Sequence, residues 1–171
     1  IDVAVRDGEE IIKLESFGSR LLQFKQNTLY TIAVAGGEEY LDGTYRNMGI
    51  THPYAVTKTE FGIFWVNDKG AYLYNGEKAP LNLIDGKIGL KEWSDWITVN
   101  AITGYIPKEK KFIVINNSDN AWATTGETTD TDMYIFNVLT QSWNQGVNVV
   151  GFQTSDGTNL DAVSNIVNYI D

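Results

Sequence analysis

Short runs rich in β-branched and aromatic residues recur along the chain between turn signals, while helix-period patterns are scarce. The runs that read as strands are 11–17, 20–25, 28–34, 54–59, 62–66, 71–74, 98–106, 111–116, 133–138 and 147–153. Between them lie Gly18-Ser19, Gln26-Asn27, Gly36-Gly37, Asn67-Asp68-Lys69-Gly70, Asn75-Gly76, Asp85-Gly86 and Asn116-Asn117. Their Gly and Asn residues supply the positive φ angles that hairpin turns demand. The expectation is an all-β chain of hairpins joined in series. Only Asp85 to Trp96 has the makings of a short helix, with Ile88 and Trp96 eight apart and Lys91 and Asp95 four apart.

The pattern repeats. A slide of 42 residues places Leu14 on Val56, Leu21-Leu22 on Ile63-Phe64, Phe24 on Val66, Gln26 on Asp68 and Tyr30 on Tyr72, without a gap. A third copy fits with a slip: Phe112 to Asn116 lies 49 residues after Ile63 to Asn67, whereas Tyr134 lies 62 after Tyr72. The 13-residue difference between these offsets is an insertion in one hairpin, absorbed by Asn117 to Thr131, which reads as an exposed loop. Fourth strands are available at Glu39 to Arg46, Ala79 to Ile84 and Val147 to Gln153. Repeats of about 40 to 50 residues built from antiparallel strands have the spacing of β-propeller blades. The expected blades are 10–46, 54–84 and 98–153, with 156–171 opening a further blade or forming a tail. The repeat also requires Leu22, Phe64 and Ile113 to occupy equivalent environments. A ring usually takes about 4 to 8 blades, and the chain begins with Ile rather than Met. The expectation is therefore one propeller-like domain over 1–171 that belongs to a longer propeller.

The stretches Glu10 to Ile32 and Tyr54 to Gly76 resemble successive blades of the β-propeller proteins in bacteriophage tails, such as the stabilisation or hub proteins of short-tailed phages. Leu21-Leu22-Gln23-Phe24, Thr28-Leu29-Tyr30 and Gly70-Ala71-Tyr72-Leu73-Tyr74-Asn75-Gly76 carry the resemblance. Met133 to Trp143 also resembles the strand, turn and Trp that close a kelch blade. The likeness spans roughly residues 10 to 155 and is a pattern of hydrophobics and turns with no catalytic motif. It implies a structural protein located in the virion, which contacts other tail or connector subunits within a larger oligomeric assembly.

Composition narrows the chemistry. Thirteen Lys and Arg against 22 Asp and Glu leave the 171-residue chain at −9, a field that repels phosphate backbones and anionic lipid. Nucleic acid and membrane are therefore not expected as partners. No stretch approaches the roughly 18 consecutive apolar residues of a spanning helix. The absence of Cys removes thiolate zinc sites and Cys nucleophiles, and a single imidazole, His52, rules out a multi-His metal centre.

What remains is weak as catalysis. Glu38-Glu39 and Asp130/Asp132 are the acid pairs a glycosidase would need, yet both stand beside turns in an acidic protein and read as solvated. Asn116 to Asn120 and Asp156 to Asp161 are oxygen-rich, and the second partly mimics a calcium loop but lacks the Asp-x-Asp start and the terminal Glu, so both read as turns. His52, ahead of Pro53, reads as a residue of a blade-to-blade connection. No enzyme activity, metal or cofactor is expected. Among the aromatics, Trp65, Tyr72 and Tyr74 are expected to fill inter-blade space, whereas Trp93, Trp96, Trp122 and Trp143 lie near connections, where an exposed ring can stack on a sugar or a partner. Trp122, with Asn120 and Thr125 beside it in the inserted loop, is the expected interface anchor. The rival functions are a carbohydrate-binding or glycan-cleaving propeller and a kelch-type scaffold.

Overall fold

In a computed structural model of the chain, the described residues are 8–77, 79–116 and 131–147. They form three four-stranded antiparallel sheets, each a meander whose spatial order follows chain order. The first contains β1 (Ile11–Phe17), β2 (Arg20–Lys25), β3 (Thr28–Ala33) and β4 (Tyr40–Arg46); the second contains β5 (Val56–Thr59), β6 (Gly62–Asn67), β7 (Gly70–Tyr74) and β8 (Leu81–Asn82). The third is built from β9 (Ile102–Ile106), β10 (Lys111–Ile115), β11 (Thr131–Asn137) and β12 (Ser142–Val147). We call them blades 1, 2 and 3.

The strand registers reproduce the sequence repeat. Leu22 pairs with Thr31 and Phe64 with Leu73, each 42 residues on, while Ile113 pairs with Ile135, the pair reached by offsets of 49 and 62. The turns explain why the hairpins close where they do. Gly18 holds φ 57 between β1 and β2. Gly62 holds φ 138, and a Cβ there would lie 2.1 Å from the carbonyl oxygen of Tyr74, so only glycine lets β6 pair so closely with β7.

Four elements differ most from expectation. Strand β12 runs Ser142–Val147, earlier than the expected 147–153, because the Asn137 side chain accepts from the backbone N–H of Leu139 and Thr140 while Gln141 adopts φ 54. This closes a tight hairpin without a glycine; residues 148–153 lie outside the described residues. Strand β9 starts at Ile102 rather than 98, since Ala101 N–H donates to Thr98 O and turns the chain first. Strand β8 is only Leu81–Asn82 within the expected 79–84. Residues 53–55 form one 3-10 turn in place of the start of a strand: Pro53 supplies the helical φ, and His52 Nδ1 accepts from Tyr54 N–H. The helix α1 (Leu90–Trp96) falls within 85–96 and carries the Lys91–Asp95 ion pair one turn apart.

The first strands of successive sheets lie side by side: Lys13 Nζ donates to Val56 O at 3.1 Å, and the hydroxyls of Thr57 and Thr103 are 2.8 Å apart. The sheets stack face to face from these strands, as blades do. Alternation along each strand gives every blade two faces. We call the one turned toward the next blade in sequence the forward face and the other the rear face. Phe24 on the forward face of blade 1 meets Trp65 on the rear face of blade 2 edge-on at 5.3 Å. Phe64 on the forward face of blade 2 stacks on Phe112 of blade 3 at 4.4 Å with the rings 2° from parallel. One hydrophobic core runs through both seams. Trp65, Tyr72 and Tyr74 are buried in it, as expected. Leu22 and Phe64 are buried on forward faces of the main core, whereas Ile113, on the same face of blade 3, is half-buried in a separate cluster with Ile115, Met133 and Ile135, so the three environments match in face but not in burial.

Candidate functional site

The interface candidates Trp122, Asn120 and Thr125 lie outside the described residues, as do Asp130, the side chain of Asp132, residues 117–120 and residues 156–161. Glu38 and Glu39 are exposed in the connection from β3 to β4. Among the described residues no three His, Asp or Glu side chains gather as a cation site.

The tryptophans near the connections correct an expectation. Trp93 is fully buried, and Trp96 and Trp143 are half-buried, so these rings are not exposed platforms. They cluster with Tyr134 at centroid distances from 4.6 to 6.0 Å. The reason is the connection from blade 2 to blade 3: α1 folds back and inserts Trp93 beside the seam, where its indole N–H donates to Asn67 O at 2.8 Å. Trp65 Nε1 donates to Met48 O and Trp143 Nε1 to Leu83 O, each at 2.9 Å, so three indoles each bind a main-chain carbonyl of a neighbouring segment. A buried indole needs such an acceptor.

Polar side chains are also used to tie blades together. Across the first seam Lys13 Nζ donates to Pro53 O and Val56 O. Across the second, at the end opposite the Asn67 turn, Lys110 Nζ and Tyr105 Oη each donate to Glu60 Oε1 at 2.7 Å. These donors, Lys110 first and Tyr105 second, hold the Glu60 carboxyl down at about 2, far below the usual carboxylate range. Burial and the bond to Glu60 push the Tyr105 phenol up. Tyr134 Oη donates to Glu92 Oε1 and accepts from Gln145 Nε2, and its phenol is raised chiefly by burial. Tyr72 is pushed up to about 12 by burial, with Asp68 and Asp85 adding to it. Of these groups Glu60 and Tyr105 are tied to each other across a seam, whereas Tyr134 is held by Glu92 of α1 and Gln145 of its own blade and Tyr72 is shifted chiefly by burial.

The outward side of the stack is different. On the rear face of blade 1, Leu14 and Leu41 are 52% and 44% exposed and Leu21 is half-buried. The repeat equates Leu14 with Val56 and Leu21 with Ile63, which are 5% and 0% exposed because blade 1 covers them. Gln23 sits between these leucines at the position of Trp65; it is buried, and its Nε2 has no hydrogen-bond partner among the described residues. Blade 1 thus presents a seam-forming face on which Leu14 and Leu41 are about half exposed, while Gln23, Tyr30 and Ile32 of the same face are buried. This feature was not read from the sequence, although Leu14 and Leu21 were already aligned with Val56 and Ile63.

No family model matches the chain, and no curated protein matches it.

Proposed function

We propose that the chain is a structural component of a bacteriophage virion, in the tail or the head-tail connector, and that it works through protein–protein contacts rather than catalysis. The observation that carries this reading is the rear face of blade 1: Leu14 and Leu41 are about half exposed, and Leu14 is so where its blade 2 equivalent, Val56, is covered by a neighbour. Aliphatic surface left in water favours association by about 25 cal/mol per Å² once covered. The resemblance of residues 10–32 and 54–76 to tail-propeller blades supplies the viral part of the reading. The net charge of −9 suits neighbours with basic surfaces.

The test is incorporation. Antibody raised against the chain should label purified particles of the phage that encodes it, and portal or tail genes should flank its own. The double variant Leu14→Glu/Leu41→Glu should fold with an unchanged melting temperature, since both side chains already face water, yet be lost from particles. A chain absent from particles would sink the viral reading. A double variant that is incorporated as wild type would sink the role given to this face.

A further inference from the structure

The end of the stack that carries the β2–β3 and β6–β7 turns holds a cavity of about 360 Å³. Its polar rim comes from both turns and from the connection after β4: Gln26, Asn27, Asn47, Thr51, Asp68 and Lys69. Its floor is small and apolar, made by Ala55, Val66 and Ala101, and the chain leaving α1 at Ile97 to Val99 closes the far wall. The cavity exists because the two connections differ. The short one, after blade 1, leaves room beside the turns, whereas the long one carries α1 across and pins it there through Trp93.

The walls are fixed before any ligand arrives. Asn67 Nδ2 donates to Asn47 O and Gly49 O, and Asn67 Oδ1 accepts from Lys69 N–H, so this amide is spent on holding two sides together. Gly49 permits the approach: a Cβ there would lie 2.3 Å from Lys25 O. Glu9 grips Asn27 through both its backbone N–H and its Nδ2 at 3.1 Å, which sets the direction of the amide oxygen. The amide of Asn47, on a residue with φ 62, makes no side-chain hydrogen bond among the described residues. A second hollow of about 360 Å³, lined by Glu9, Thr28, Tyr30, Thr44 and Arg46, shares Asn27 and Asn47 with the first. The two amides form the ridge between the hollows.

We propose that this pair of hollows is a binding site for a short neutral glycan, with one sugar unit in each and Asn27 and Asn47 hydrogen-bonding the hydroxyls between them. Each amide offers donors and an acceptor, the combination that matches neighbouring hydroxyl groups. Each hollow is within the usual range for a small-ligand pocket, and the apolar floor of the first suits the C–H face of a pyranose. Charge argues against an anion: Asp68 and Lys69 pair with each other at 2.6 Å, and the lining of the second hollow carries both Glu9 and Arg46. The site does not depend on the assembly role proposed above.

The experiment is a titration of the full chain with methyl glucoside, methyl galactoside, N-acetylglucosamine, maltose and lactose, up to roughly 50 mM. It is read by the side-chain amide resonances of Asn27 and Asn47 and by tryptophan fluorescence, with inorganic phosphate as the anionic comparison. At least one neutral sugar should shift both amide pairs, and a disaccharide should bind more tightly than its monosaccharides. Asn47→Gly, which keeps the positive φ, should weaken binding by about tenfold without moving the melting temperature, and Asn27→Ala, which also gives up its bond to Glu9, should weaken it by about tenfold. No response to any of the sugars, phosphate binding in their place, or sugar binding undiminished in both variants would each overturn the site.

Discussion

Blades 1 and 2 align without a gap over a whole hairpin, yet they live in different surroundings. Every β6 residue from Gly62 to Val66 is buried, because blade 1 covers one side of the strand and blade 3 the other. In blade 1 the same module buries Leu22 and Phe24 forward and leaves Leu14 half in water at the rear. The same sequence pattern therefore contributes very different amounts of stability according to whether a neighbour is present. What a blade is worth is a property of the seam rather than of the sheet.

That comparison can be broken or sharpened by substitution. The largest effect is expected for Phe64→Ala, which opens a cavity opposite the parallel ring of Phe112 and should cost about 3–5 kcal/mol in chemical denaturation. A cost near 1 kcal/mol would mean that the second seam is loosely packed. Trp93→Phe keeps a ring in place but leaves Asn67 O without its donor, and should lower stability by about 1–3 kcal/mol. Glu60→Gln probes the tie between blades 2 and 3. The folded chain keeps Glu60 ionised down to about 2, against an ordinary value of 4.5. The stabilisation is thus fully present above pH 4.5 and is lost as pH falls toward 2. Because the side chain is about half exposed, solvent screening limits the effect to about 0.5–1 kcal/mol. Melting curves of wild type and Glu60→Gln should converge across that window, and a gap that persists at pH 2 would contradict the assignment. The smallest effect is expected for Leu14→Ala, within about 0.5 kcal/mol, at the position equivalent to the buried Val56. A large loss there would show that the rear face is already covered.

Most of the blade architecture was legible because it is local. Tight turns such as Gly18-Ser19 and Asp68-Lys69 announce themselves by residue type, and the 42-residue repeat fixed which strands correspond. The helix followed from the spacing of Lys91 and Asp95. Strand β12 was misplaced because its hairpin depends on one Asn side chain and a Gln with positive φ, whereas the β-branched run further on looked stronger. The burial of Trp93 and Trp143 was missed because it depends on a fold-back of the connection, a tertiary event with no local signature. Leu14 and Val56 are interchangeable as letters, so no reading of either blade alone could say which one is open to water. The cavity at the turns was invisible for a related reason: its rim joins turns 42 positions apart on two blades with the connection between them.

The forward and rear faces are unlike, and each seam joins one of each. Contacts of this kind are heterologous: they have a direction, as bricks laid in one course do, and a partner cannot be swapped end for end. Such an array either comes full circle or runs on as a filament, and the outcome rests on the angle turned at each joint. In this chain the second seam is held at one end by Trp93, whose indole binds Asn67 O, and at the other by the Glu60 clasp.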